Sequence, residues 1–153
     1  MKTTYFHLPG RDRDALRESI RDALAGRSDL SFAYLHGSFL TRDRFRDIDI
    51  ALHLKKVPSS TVQAELDIET ELIEAVGGVY PVDVRILNTA PVSFRYSVIK
   101  NGEPVWVADE EARTVFVETT LSRYFDFAPF HKRYLRETLG IGIQRGQGQE
   151  DHL

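Results

Sequence analysis

The sequence predicts an α+β fold in which a mixed β-sheet is flanked by helices and a long C-terminal helix follows the last strand. Three observations carry this expectation. Segments with helical apolar spacing alternate along the chain with short β-rich segments. Two of those short segments, residues 47 to 54 and 80 to 87, alternate apolar and polar side chains with period two. The whole chain has 153 residues, 42% hydrophobic and 28% charged, which suits one soluble core and leaves no room for two. A single domain over residues 1–139 with a flexible tail over 140–153 is expected.

Each element has its own signal. Pro9-Gly10 reads as a turn, and Asp12 as the N-cap of a first helix whose Ala15, Leu16, Ile20, Ala23 and Leu24 share a face until Gly26. Residues 30 to 36 are apolar, aromatic and too short for a helix, so they read as a buried strand running into Gly37-Ser38. A charged stretch from Thr41 to Arg46 follows. In the next strand Ile48, Ile50, Leu52 and Leu54 point one way. Pro58-Ser59-Ser60 opens a second helix, with Ser60 and Gln63 at capping-box spacing and Val62, Leu66, Ile73 and Val76 as its stripe up to Gly77-Gly78.

In the strand over 80 to 87, Val82, Val84 and Ile86 face one side while Asp83 and Arg85 face the other. Pro91 suits the first turn of a short helix through Phe94 and Val98, closed by Asn101-Gly102. Residues 105 to 107 make one more strand. Asp109 then caps a long helix carrying Val115, Phe116, Tyr124, Phe125 and Phe127, which Pro129 should break or kink, with a helical remainder to Leu139. The Gly- and Gln-rich residues after Gly140 have little to bury.

Composition removes several function classes. With no cysteine there is no disulfide, thiolate-bound zinc, iron–sulfur cluster or thiol nucleophile. Twenty Lys+Arg against 23 Asp+Glu give a net charge of -3, so no general attraction to nucleic acid is expected. No apolar run reaches the roughly 18 residues of a membrane span, and the opening Met-Lys-Thr-Thr leads into no signal-like segment. A cytoplasmic protein with no membrane partner is expected. His7, His36, His53, His131 and His152 show no metal-ligand spacing, and His36 reads as the end of a buried strand.

The chemistry concentrates on acidic residues. Asp47 and Asp49 stand on one face of a strand, their Cα atoms about 6.7 Å apart. At an effective dielectric near 20, two such charges repel by roughly 2.5 kcal/mol, which a cation between them would relieve. Asp83 repeats the arrangement on a later strand, so adjacent strands would bring three carboxylates together. Oxygen-only ligands favour magnesium or manganese over zinc. Ordinary solvent-facing strand positions are the other reading of such a pattern. Gly37-Ser38, just ahead of this strand, adds a backbone that a phosphate can approach closely and donors for its oxygens. Strand, Gly-Ser, short turn and Asp-x-Asp strand together suit a nucleoside triphosphate with its metal.

These residues, HGSFLTRDRFRDIDIAL with Val82-Asp83-Val84 as a third element, resemble the DNA polymerase β-like nucleotidyltransferases. The strand YPVDVRIL, the helix after it and the segment IKNGEPVW are similar to the minimal nucleotidyltransferases, the MntA-type antitoxins of HEPN/MNT toxin-antitoxin pairs, and the likeness covers most of residues 10 to 125. Two features depart from the family pattern. The eight-residue spacer between Ser38 and Asp47 is short, with Thr41-Arg42-Asp43 where a basic residue and a glycine are usual, and His36 is polar where the family has an apolar residue.

The resemblance implies a polymerase β-like fold and a role for each residue. Asp47 and Asp49 would hold magnesium ions, two of them, on the triphosphate of ATP, with manganese as a substitute. Asp83 would join the catalytic metal and help activate the attacking hydroxyl. Gly37 and Ser38 would position the β and γ phosphates, while Arg42 and Arg46 would neutralise the leaving pyrophosphate, their other reading being solvated loop charges. The resemblance further implies transfer of AMP to a tyrosine hydroxyl of a HEPN ribonuclease toxin. The aromatic run Tyr124, Phe125, Phe127, Phe130 and Tyr134 offers a docking surface for such a helical partner, with core packing as its alternative use. Two rival functions stay open: a nucleotidyltransferase acting on a small molecule of antibiotic type, and an antitoxin that neutralises by binding alone.

Overall fold

A computed structural model describes residues 3 to 127. Two strands of two residues, β1 (Phe6–His7) and β3 (Arg44–Phe45), pair antiparallel beside a four-stranded sheet in the order β5-β4-β2-β6. Its members are β2 (Leu30–His36), β4 (Ile48–Leu54), β5 (Val82–Ile86) and β6 (Glu103–Val107). β2 runs antiparallel to both β4 and β6, and β4 runs parallel to β5, so the sheet is mixed, as expected. The expected placement of the 47–54 strand between the other two predicted strands holds.

The helices are α1 (Gly10–Ala25), α2 (Ser38–Thr41), α3 (Thr61–Ala75), α4 (Val92–Asn101) and α5 (Glu110–Phe127). One face of the sheet carries Leu35, Ile48, Ile50, Leu52, Val82, Val84 and Ile86, buried against Ile20 and Leu24 of α1, Ile68 and Leu72 of α3, and Val76 just beyond α3. The opposite face carries Phe32, Tyr34, Ala51 and Leu87, covered by Val98 of α4 and Phe116 of α5. Strict alternation on β4 therefore gives one deeply buried side and one side that presents Asp49, Ala51 and His53 toward α4 and α5. No helix among the described residues is long and apolar enough to cross a membrane.

Several local expectations are corrected. Pro9, not Asp12, takes the N-cap position of α1; Asp12 lies inside the first turn, where its charge complements the positive end of the helix dipole, and its amide donates to the Pro9 carbonyl at 3.0 Å. On α3 the stripe is rotated, because Val62 and Leu66 are 63% and 51% exposed while Ile68 and Leu72 are buried. α3 carries two apolar rows at helical spacing, and the row that docks is the one whose flanking glutamates meet β5. Val115 on α5 is likewise exposed and its neighbour Phe116 buried. β1 and β3 lie where the sequence carries no strand signal; Phe45 is nevertheless fully buried, edge-on to Phe39 at 4.9 Å and 5.6 Å from Phe6. The expected caps of Ser60 and Asp109 are present, accepting from the amides of Gln63 at 3.1 Å and Ala112 at 3.0 Å.

Tyr124 stacks on Tyr96 at 4.0 Å, and both pack with Leu121 and Phe125, so this part of the aromatic run is used within the α4–α5 contact. Pro129, Phe130, Tyr134, the helical remainder to Leu139 and the tail over 140–153 lie outside the described residues.

Among the described residues β5 has one strand neighbour, β4, and two of its outward amides are satisfied by side chains. Glu69 accepts from the Val84 amide and Glu65 from the Ile86 amide, both at 2.9 Å. Replacing both glutamates by Ala leaves two half-buried donors without acceptors, and at about 1 to 2 kcal/mol each the double variant should lose roughly 2 to 4 kcal/mol. Urea unfolding measures it, and an unchanged midpoint would show that water substitutes fully for the carboxylates.

Candidate active site

The site is built where three strands present one row of residues. His36 on β2 is the register partner of Asp49 on β4, and Asp49 is the register partner of Asp83 on β5. Adjacent strands lie about 4.8 Å apart, so the row His36, Asp49, Asp83 runs directly across the sheet on one face. Asp47 precedes β4 by one residue and lies close enough for its charge to act on Asp49. The three predicted carboxylates thus lie together at one end of the face over which α4 and α5 pack.

Gly37 shows why the chain needs glycine here. Its backbone has φ 77° and ψ -165°, a region closed to residues with a side chain, and a Cβ at this position would overlap the Asp49 carboxylate. The Gly-Ser turn and the central carboxylate are therefore in contact through bare backbone. From there α2 makes one turn: the Leu40 amide donates to the Gly37 carbonyl at 3.1 Å, as does the Thr41 hydroxyl at 3.2 Å. The first amides of the turn, those of Ser38 and Phe39, have no acceptor within so short a helix and are available to an oxyanion.

Asp49 is the electrostatic centre. Burial first, then the charges of Asp47 and Asp83, push its pKa up to about 7, against a smaller opposite pull from Arg46. The Asp83 carboxylate is turned toward Arg85, whose Nε lies 3.4 Å from Oδ1. In this arrangement no three carboxylate or imidazole groups among the described residues are set to hold a metal ion. The donor set nonetheless suits one, because three oxygen-ligand side chains share one sheet end and the middle one carries an unrelieved charge cost.

The cost has a measurable sign. In the unfolded chain Asp49 loses its proton near 3.8, and in the folded chain near 7, so between these values the folded state holds the extra proton and stability falls as pH rises. Allowing for screening of a half-exposed group, the loss is about 1 to 2 kcal/mol. Thermal melts in chelator should show metal-free Asp49→Asn gaining on the parent protein from pH 4 to pH 7.5; parallel melting curves across that range would refute the assignment.

Of the two arginines singled out in the sequence, Arg46 is close enough to bear on Asp49, whereas no ion pair or hydrogen bond joins Arg42 to the carboxylates. Arg42 is exposed at the end of α2. His36 is half-buried, edge-on to Phe94 at 5.6 Å, with Nε2 shielded and without a partner; burial, above all, lowers its pKa. One contributor was not anticipated. Arg13 of α1 donates to the carbonyls of Phe39 and Asp43 and lies 5.3 Å and 5.1 Å from the ring centres of Phe39 and Phe45. It ties down the short spacer between Ser38 and Asp47. No sequence signal marks it, since it sits in the run Arg-Asp-Arg-Asp among residues that face solvent. Gly102 also matters: a Cβ there would come within 2.8 Å of the Leu35 carbonyl, so α4 ends against the last turn of β2 only because the residue is glycine.

Comparison with known proteins gives one family and one group of solved structures. Curated proteins offer no significant match. A chain of the complex between tri-AMPylated Shewanella oneidensis HEPN toxin and MNT antitoxin aligns with 20% identity over 84% of this chain and 97% of that one, with TM-score 0.56. A chain from a toxin–antitoxin structure with AMP-PNP aligns with 22% identity over 80% and 98%, with TM-score 0.61. The MntA–HepT toxin–antitoxin structure aligns with 19% identity over 86% and 99%, with TM-score 0.56. At such identities the likeness is one of fold. The profile described as polymerase beta, nucleotidyltransferase matches residues 18–111, which span more than half of the chain and include the Gly-Ser turn and all three carboxylates, and the chain belongs to this nucleotidyltransferase family.

Proposed function

We propose that the protein is an antitoxin that transfers AMP from ATP to a tyrosine hydroxyl of a HEPN ribonuclease partner and so silences it. The observation that carries the reading is the contact of bare Gly37 backbone with Asp49, in register with Asp83. The family membership supports nucleotidyl transfer, and the fold neighbours support the partner class.

Asp47, Asp49 and Asp83 would hold magnesium, which supplies charge neutralisation on the triphosphate and lowers the pKa of an attacking hydroxyl. Asp49, whose pKa is raised by burial and by the charges of Asp47 and Asp83, would be a ligand in its ionised form. Asp83 would leave Arg85 to join this ligand set, at small cost because the Arg85 pair is exposed. The α2 amides and the Ser38 hydroxyl hold the terminal phosphates, and Arg46 faces the charge that grows on pyrophosphate. Arg13 keeps the spacer from drifting over the turn. An acceptor hydroxyl in line with the departing pyrophosphate completes the displacement at the α phosphorus.

The test is intact mass of the co-purified helical partner after incubation with ATP, with magnesium or with chelator. Whole AMP increments should appear on the partner with magnesium and be absent with chelator. Protection of cells without any increment would make the protein a binding antitoxin, and transfer only to small alcohols would favour the small-molecule alternative.

A further inference from the structure

Two guanidinium groups share a cleft between α4 and α5. Arg95 of α4 and Arg123 of α5 line it with Ala90, Val92 and Asp126, around a volume of about 430 Å³. Arg95 Nη2 donates to the Asn88 carbonyl, and its guanidinium carbon lies 5.8 Å from the Phe116 ring centre. Its Nε is shut off from solvent and has no hydrogen-bond partner. Neither arginine forms an ion pair among the described residues, although Asp126 stands on the same wall. Like charges that share one cleft carry a cost that an oxyanion offsets, and the planar guanidinium fork fits phosphate oxygens. Burial, and then Arg123, lowers the Arg95 pKa, in keeping with that geometry.

The cleft is separate from the carboxylates. Arg95 also borders a cavity with His53, Asp109 and Glu111, and His53 stands four residues along β4 from Asp49, about 13 Å at strand rise. Asp109 and Glu111 line that neighbouring cavity, whereas the cleft sets two guanidinium groups, Arg95 and Arg123, against the single carboxylate of Asp126. We propose that the α4–α5 cleft is a second anion site that takes a phosphate group, as a free monoester or as the diester of a nucleotide chain.

The proposal is tested without metal or transfer, so its outcome is independent of the antitoxin reading. In the full chain in chelator, the Arg95 side-chain Nε–Hε resonance is followed while inorganic phosphate, AMP and the dinucleotide ApA are added in turn. A saturable shift is expected, and Arg123→Gln, a change at an exposed position, should raise the dissociation constant roughly tenfold. Tighter binding of ApA identifies a chain-borne diester, and tighter binding of phosphate or AMP a free anion; either supports the site. A shift that does not saturate, or one unchanged in Arg123→Gln, overturns it.

Discussion

Replacing Asp47 and Asp49 together by Asn should abolish AMP transfer to the partner while the folded protein persists. The exchange keeps size and hydrogen-bonding capacity and removes the two charges that would anchor the cation. Metal-assisted displacement draws several kcal/mol from that anchoring, so a fall of roughly a thousandfold or more is expected. Stability should move the opposite way. Asp49 carries a burial and repulsion cost in the metal-free protein, so the double variant should melt higher in chelator at pH 7.5. Single-turnover mass spectrometry of the partner, with melting curves on the same samples, separates the effects. Transfer surviving within tenfold would remove these carboxylates from the mechanism, and a lower melting point would show that they stabilise the fold.

Gly37→Ala should be the most damaging small substitution in the chain. A methyl group there meets the Asp49 carboxylate, and the backbone at φ 77° and ψ -165° is strained for any residue with a Cβ. Either the turn rotates away, carrying Ser38 and α2 with it, or Asp49 leaves its place between Asp47 and Asp83. We expect a loss of about 2 to 4 kcal/mol by denaturant unfolding, together with loss of transfer. Ser38→Ala, with no backbone demand, should leave stability within about 0.5 kcal/mol while weakening ATP binding. Equal stability of Gly37→Ala and the parent protein would mean that the turn is free to adopt another path.

Much of this architecture was legible in the residues, for physical reasons that differ by element. β4 was clear because one of its faces is wholly buried, which forces strict alternation. The Ser60 and Asp109 caps were clear because a helix end needs a side-chain acceptor close at hand. α3 misled because apolar residues occupy two of its faces, and only packing against β5 decides between them. Two-residue strands such as β1 and β3 are too short to have a period. In the site, the acid-x-acid pattern placed Asp47 and Asp49 on one face. The pairing of Asp49 with Asp83 comes from a parallel contact whose register no local pattern encodes. The turn of Asp83 toward Arg85 and the anchoring of the spacer by Arg13 depend on side chains distant in the chain or in an unpatterned charged run.

The glutamates of α3 do more than satisfy an edge. Glu65 and Glu69 are one helical turn apart, about 6.0 Å along the axis, and the amides they receive, Ile86 and Val84, are two residues apart, about 6.6 Å along a strand. The two spacings nearly match, so helix and strand engage like the teeth of a rack. A slip of β5 by one residue would present neighbouring amides to the same glutamates, but it would turn Asp83 and Arg85 into the core and Val82, Val84 and Ile86 out of it. The alternation of β5 therefore decides which side chains face the site, and the glutamates hold from its outer edge the strand on which Asp83 stands level with Asp49.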